Sequence, residues 1–176
     1  MSNVEFGSPS PKVSVETTYR GISNSHMVLQ KGAMKELRKH LFFTHLRFHC
    51  RKKLGRTFHV VTASNSSGEA VVQYFSGETD EQPDACGSFV RLKWDDSSNL
   101  AGICKDWGRL KNGTYFVGKW GHGEDQNRLY RYPAFRKKKY HLTISLNDGG
   151  DLTSLQCDDG GQGATSIGDF WKVFVR

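Results

Sequence analysis

Short runs of alternating apolar and polar residues recur along this chain, separated by Gly, Asn and Asp turns. They constrain its fold more than any other feature. His45–Cys50, Thr57–Thr62, Ser88–Trp94, Thr114–Trp120, Tyr140–Leu146 and Asp169–Arg176 read with period two, and Glu69–Phe75 reads as a further strand. That period sends successive side chains to opposite faces of a sheet. About eight short strands at near-regular spacing predict a mostly β fold, an antiparallel sandwich or twisted sheet. In the last run Phe170, Lys172, Phe174 and Arg176 share one face, and Trp171, Val173 and Val175 the other. Apolar groups on both faces predict a central strand. The exception is 28–43, with apolar residues at 29, 33, 34, 37, 41 and 42 and Lys35, Arg38 and Lys39 opposite. This spacing predicts one N-terminal amphipathic helix over roughly 30–41.

The cysteines are Cys50, Cys86, Cys104 and Cys157, and no two have C-x-x-C spacing. They read as disulfides rather than metal ligands, and disulfides need an oxidising compartment. The expected pairing joins Cys50 to Cys86 or Cys104, and Cys157 to the one remaining. Two glycosylation sequons, at Asn65 and Asn112, point the same way. The expected setting is secreted or cell-surface. Because MSNVEFGSPSPKVSVETTYRG holds no apolar core of signal type, the chain reads as a fragment lacking its signal peptide. Residues 1–19 read as a flexible tail and 20–176 as one β-rich domain. No stretch approaches the ~18–20 apolar residues of a membrane-spanning helix.

A net charge of +7 and a pI near 9.3 favour anionic partners. The most concentrated basic stretch carries interleaved aromatic rings. Its candidate ligand residues are Arg128, Tyr130, Arg131, Tyr132, Arg136, Lys137, Lys138 and Lys139. Lysine point charges and arginine forks suit sulfated glycans, and in a nuclear setting the same stretch suits nucleic acid. Acidic turns supply a possible Ca²⁺ site from Asp95, Ser97, Asn99, Asp148, Asp151, Asp158 and Asp159, since Ca²⁺ takes oxygen ligands from such loops. The competing reading is that Asp, Asn and Gly simply make tight turns. His45 and His49 would lie about 13 Å apart on a strand, too far to share one metal ion. No nucleophile elbow, P-loop or dinucleotide fingerprint is present, so the chain is expected not to be an enzyme and to carry no cofactor beyond a possible Ca²⁺.

The run from Phe48 to Trp107, with FHCRKKLGRTFHVVTASNSSGEAVVQYFSG and ACGSFVRLKWDD, and the ending GDFWKVFVR, resembles a C-terminal domain of extracellular proteins of sea anemones and corals. The resemblance covers most of the chain. It implies secretion, disulfides and an adhesive or matrix role, and it assigns no activity and no functional residue. The expected function is a non-enzymatic extracellular binding or adhesion module for glycan, glycosaminoglycan or a matrix protein. The alternatives are an intracellular nucleic-acid-binding domain and a hydrolase with a dispersed site.

Overall fold

The computed structural model describes residues 4–6, 20–23, 26–28, 31–123, 128–129, 132–136, 140–146, 152–159 and 166–176. In chain order the elements are β1 (Val4–Phe6), β2 (Arg20–Ser23), β3 (His26–Val28), α1 (Lys31–Leu41), β4 (Leu46–Arg51), β5 (Thr57–Thr62) and α2 (Ser66–Phe75). There follow β6 (Phe89–Arg91), a 3₁₀ helix (Ala101–Asp106), β7 (Ala134–Arg136), β8 (Tyr140–Leu146), β9 (Leu152–Asp159) and β10 (Phe170–Val175). The strands form three antiparallel sheets: five strands in the order β1-β10-β4-β5-β6, the pair β2-β3, and three strands β7-β8-β9.

Alternation decides which face is buried. Leu46, Phe48 and Cys50 of β4, Phe58 and Val60 of β5, and Trp171, Val173 and Val175 of β10 all point into one core. Leu142 of β8 and Leu155 and Cys157 of β9 join the same cluster from the three-stranded sheet. Ala33, Met34 and Leu37 of α1 are buried there too, while Phe42, just past its end, is exposed. Rings fill the centre. Phe48 stacks on Trp120 at 5.3 Å, and Trp107 meets Trp120 edge-on at 4.7 Å. Both indoles are fully buried, and each N–H has an acceptor: Trp107 donates to Leu100 O (2.9 Å) and Trp120 to Ser88 Oγ (2.7 Å).

Three sequence expectations are corrected. The segment Glu69–Phe75 is not a strand but most of α2. Asn65 sits in an extended conformation and caps the helix by accepting from Gly68 N at 2.8 Å. Gly68 is required there, because a Cβ would lie 1.9 Å from Ala63 O. The expected strand Thr114–Trp120 is a series of turns, with Phe116 and Gly118 at positive φ and isolated bridges from Arg109 to Tyr115 and from Asp84 to Lys119. The disulfides are Cys50–Cys157 and Cys86–Cys104, not the pairing expected from the sequence. Cys86 and Cys104, the latter on the 3₁₀ helix, flank β6, and their Cα atoms lie 5.2 Å apart. Cys50 faces the core from β4 and meets Cys157 of β9, tying the five-stranded sheet to the three-stranded one.

Candidate functional site

The face of the five-stranded sheet turned away from the core is built like a grid. Register places Phe170, Arg51 and Thr57 side by side, then Lys172, His49 and His59, then Phe174, Arg47 and Val61. Directly paired residues of antiparallel strands project to the same side, about 5 Å apart, and the rows repeat every two residues, about 7 Å. Over β10 and β4 cations and rings therefore alternate in both directions. Arg47 lays its guanidinium over the Phe174 ring at 3.7 Å, and the Lys172 ammonium lies 5.5 Å from the Phe170 ring centre. The His49 and His59 rings stack at 3.9 Å, with Phe170 edge-on to His49 at 4.8 Å. Among the described residues, one acidic position falls on this side by register: Glu5, opposite Phe174 on the edge strand β1.

The electrostatics agree with the inventory. His49 has its pKa pushed down to about 4, first by burial and then by His59, Arg47, Lys172 and Arg51 around it. These four neighbours are all basic. His59 shares a 2.9 Å hydrogen bond between Nδ1 and Lys93 O. Since a carbonyl only accepts, Nδ1 carries the proton, and the buried Nε2 has no partner. At the Phe174 end the face sinks into a depression of about 460 Å³, lined by His45, Arg47, Val61, Leu92, Phe174 and Arg176. Within it the buried Arg47 Nε has no hydrogen-bond acceptor. A cationic donor with unspent capacity, braced on a ring in a concavity, is suited to an anionic oxygen.

The residues singled out from the sequence lie elsewhere. Arg128 is 6% exposed, and its guanidinium serves the fold: it donates to Tyr74 O, to Thr79 O at 2.6 Å and to Asp80, and lies over the Tyr74 ring. Tyr132 packs beside His122 and Phe135. Arg136 ends β7 opposite Tyr140. Tyr130, Arg131, Lys137, Lys138 and Lys139 lie outside the described residues, as do Asp148 and Asp151.

The structure brings two of the acidic turns together, around backbone N–H groups. Asp95 accepts from His59 N (2.7 Å), Ser97 N (3.1 Å) and Ser97 Oγ (2.8 Å), and pairs with Arg91 at 2.7 Å. Asp158, fully buried, accepts from Asn99 N (3.1 Å) and Leu100 N, with Arg56 Nε at 3.6 Å. Burial raises its pKa to about 6, against the lowering effect of these two amides and Arg56. Asp159 accepts from Cys157 N at 2.8 Å and pairs with Lys52 at 3.3 Å. Among the described residues no three His, Cys, Asp or Glu side chains are grouped to hold a metal ion. Of the two sequons, Asn65 caps α2 and donates to Gly87 O at 3.2 Å, while Asn112 holds an exposed turn by accepting from Thr114 N at 3.0 Å.

Sequence reasoning missed the grid, although half of its signal lies in the chain itself. The split of β10 into Phe170-Lys172-Phe174 and Trp171-Val173-Val175 gives its two faces. That Lys172 falls beside His49 depends on register between strands more than a hundred residues apart in sequence, and that His49 falls beside His59 depends on the register of β4 with β5. No helix among the described residues is long and apolar enough to cross a membrane. The chain matches no protein-family model, no curated protein and no solved structure.

Proposed function

We propose that this chain is a non-enzymatic extracellular binding module that holds an anionic glycan or matrix polymer on the outer face of its five-stranded sheet. One observation carries the reading: Arg47, Arg51 and Lys172 alternate with Phe170, Phe174 and His49 across the two paired strands β10 and β4. Rings offer flat apolar surface to sugar faces, and the cations meet sulfate or carboxylate groups. The two disulfides support an oxidising, extracellular setting. Single-stranded nucleic acid would use the same combination of stacking and charge, but that reading places two disulfides in a reducing compartment.

Retention on immobilised heparin tests the proposal. The protein should bind and elute at a salt concentration that falls for Arg47→Ala and Lys172→Ala, because each lost contact reduces the number of counterions released. Elution unchanged in both variants, or tighter binding to a single-stranded oligonucleotide at matched salt, would count against it. An anion on this face should also raise the His49 pKa, which a histidine NMR titration with and without heparin fragments reads directly. Thiol titration of denatured, unreduced protein checks the compartment: four free thiols would remove the extracellular reading.

A further inference from the structure

The grid ends where three turns meet, and these turns carry a different chemistry. The β4–β5 turn presents Leu54, 88% exposed. The turn before β10 presents Ile167, 94% exposed, and the turn after β6 presents Trp94, 72% exposed. The three are laced together. Lys53 N donates to Asp169 Oδ1 at 2.7 Å, Arg56 Nη1 to Asp96 O at 3.0 Å, and Thr57 N to Asp96 Oδ1 at 2.6 Å. Single exposed apolar side chains are ordinary, but three large ones on adjoining turns at one end of a sheet are not. Trp94 is held at φ +69°, a left-handed conformation unusual for a bulky residue, and it gains no burial from it.

Charge is sorted around these tips. Lys53, Arg56 and Lys93 are exposed, and the Lys93 ammonium lies 5.1 Å from the Trp94 ring centre. The carboxylates turn inward: Asp95 and Asp158 are buried, and Asp169 is occupied by Lys53 N, Ser166 N (2.9 Å) and Ser166 Oγ (2.9 Å). Asp96 is exposed, and its oxygens accept from the β5 end. Apolar tips inside a ring of cations complement an anionic lipid surface. Leucine and isoleucine enter the acyl boundary, tryptophan sits at headgroup level, and Lys and Arg meet lipid phosphates and carboxylates. A sulfated polymer offers the charge but nothing for Leu54 or Ile167 to enter.

We propose that this end of the sheet docks on an anionic lipid bilayer through Leu54, Ile167 and Trp94. The site uses residues separate from Arg47, His49 and Lys172, so it stands apart from polymer binding on the sheet face. The test is co-sedimentation with vesicles of phosphatidylcholine alone and with about 30% phosphatidylserine added. The protein should pellet with the anionic vesicles and far less with the neutral ones. Leu54→Ser with Ile167→Ser should weaken partitioning about tenfold or more, since two apolar insertions are lost. Heparin retention and melting temperature should not change. Trp107, Trp120 and Trp171 are buried, so quenching of wild-type fluorescence by brominated lipids reports Trp94 entering the bilayer. Absence of binding to anionic vesicles at low salt, equal binding by the double variant, or binding without quenching would each overturn the proposal. Heparin binding without vesicle binding would overturn it while leaving the polymer-binding function standing.

Discussion

His49 and Asp158 respond to acid with opposite sign. His49 has a folded pKa near 4 against an ordinary 6.5, so the unfolded chain takes up its proton more readily. Its contribution is intact above pH 6.5 and is lost as pH falls through 4. Asp158 is raised to about 6 from an ordinary 3.8, so it favours the folded state in its protonated form. That contribution is intact below pH 3.8 and is lost as pH rises through 6. Melting temperatures measured from pH 7 to 4 should therefore fall less steeply in His49→Gln than in the wild type, and more steeply in Asp158→Asn. Removing the carboxyl altogether is a different matter. Asp158→Ala leaves Asn99 N and Leu100 N without their acceptor and should cost about 3 kcal/mol in urea unfolding at neutral pH. Asn keeps one acceptor oxygen, so Asp158→Asn should cost less than Asp158→Ala.

At the scale of elements, α2 shows how one cap and one glycine outweigh local propensity. The run AVVQYF carries β-branched and aromatic residues that favour a strand. It is helical because Asn65 caps the first turn and Val71, Val72 and Phe75 share a face that the core covers. Asn65→Ala should cost about 1 kcal/mol through the lost cap. Gly68→Ala should cost more, because its Cβ meets Ala63 backbone that cannot swing away. Circular dichroism with thermal unfolding checks both. The strands β4, β5, β8 and β10 were legible because alternation over six or more residues is strong and a core covers one face. The run 114–120 alternates as well, but Phe116, Gly118 and Gly121 take positive φ, which no alternation pattern encodes. The candidate site divides the same way. The faces of β10 could be read from the chain, while the placement of Lys172 beside His49 needed the register.

For the molecule as a whole, the two disulfides differ in what they restrain. Cys50–Cys157 closes a sequence separation of 107 residues and Cys86–Cys104 one of 18. In the chain-entropy account the longer loop constrains the unfolded state more, by about 1.5 kcal/mol. Replacing Cys50 and Cys157 by Ala should therefore lower the melting temperature further than replacing Cys86 and Cys104. Equal losses would show that local strain or residual structure, not loop length, sets the stabilisation.

The same bond has a mechanical consequence. β1 and β10 are antiparallel neighbours, with Val4 beside Val175, and β10 pairs next with β4, Val175 beside Leu46. Tension applied between the two ends of the chain peels these strands apart one hydrogen bond at a time. Peeling stops at Cys50–Cys157, beyond which the load passes through the disulfide and bypasses everything between the two cysteines. In single-molecule stretching the chain should lengthen only by residues 1–50 and 157–176, and reducing agent should release the remainder in a second, longer step. A module anchored in a strained matrix would thus give up β1, β10 and most of β4, and with them its cation and ring face, while the residues between the two cysteines carry no load.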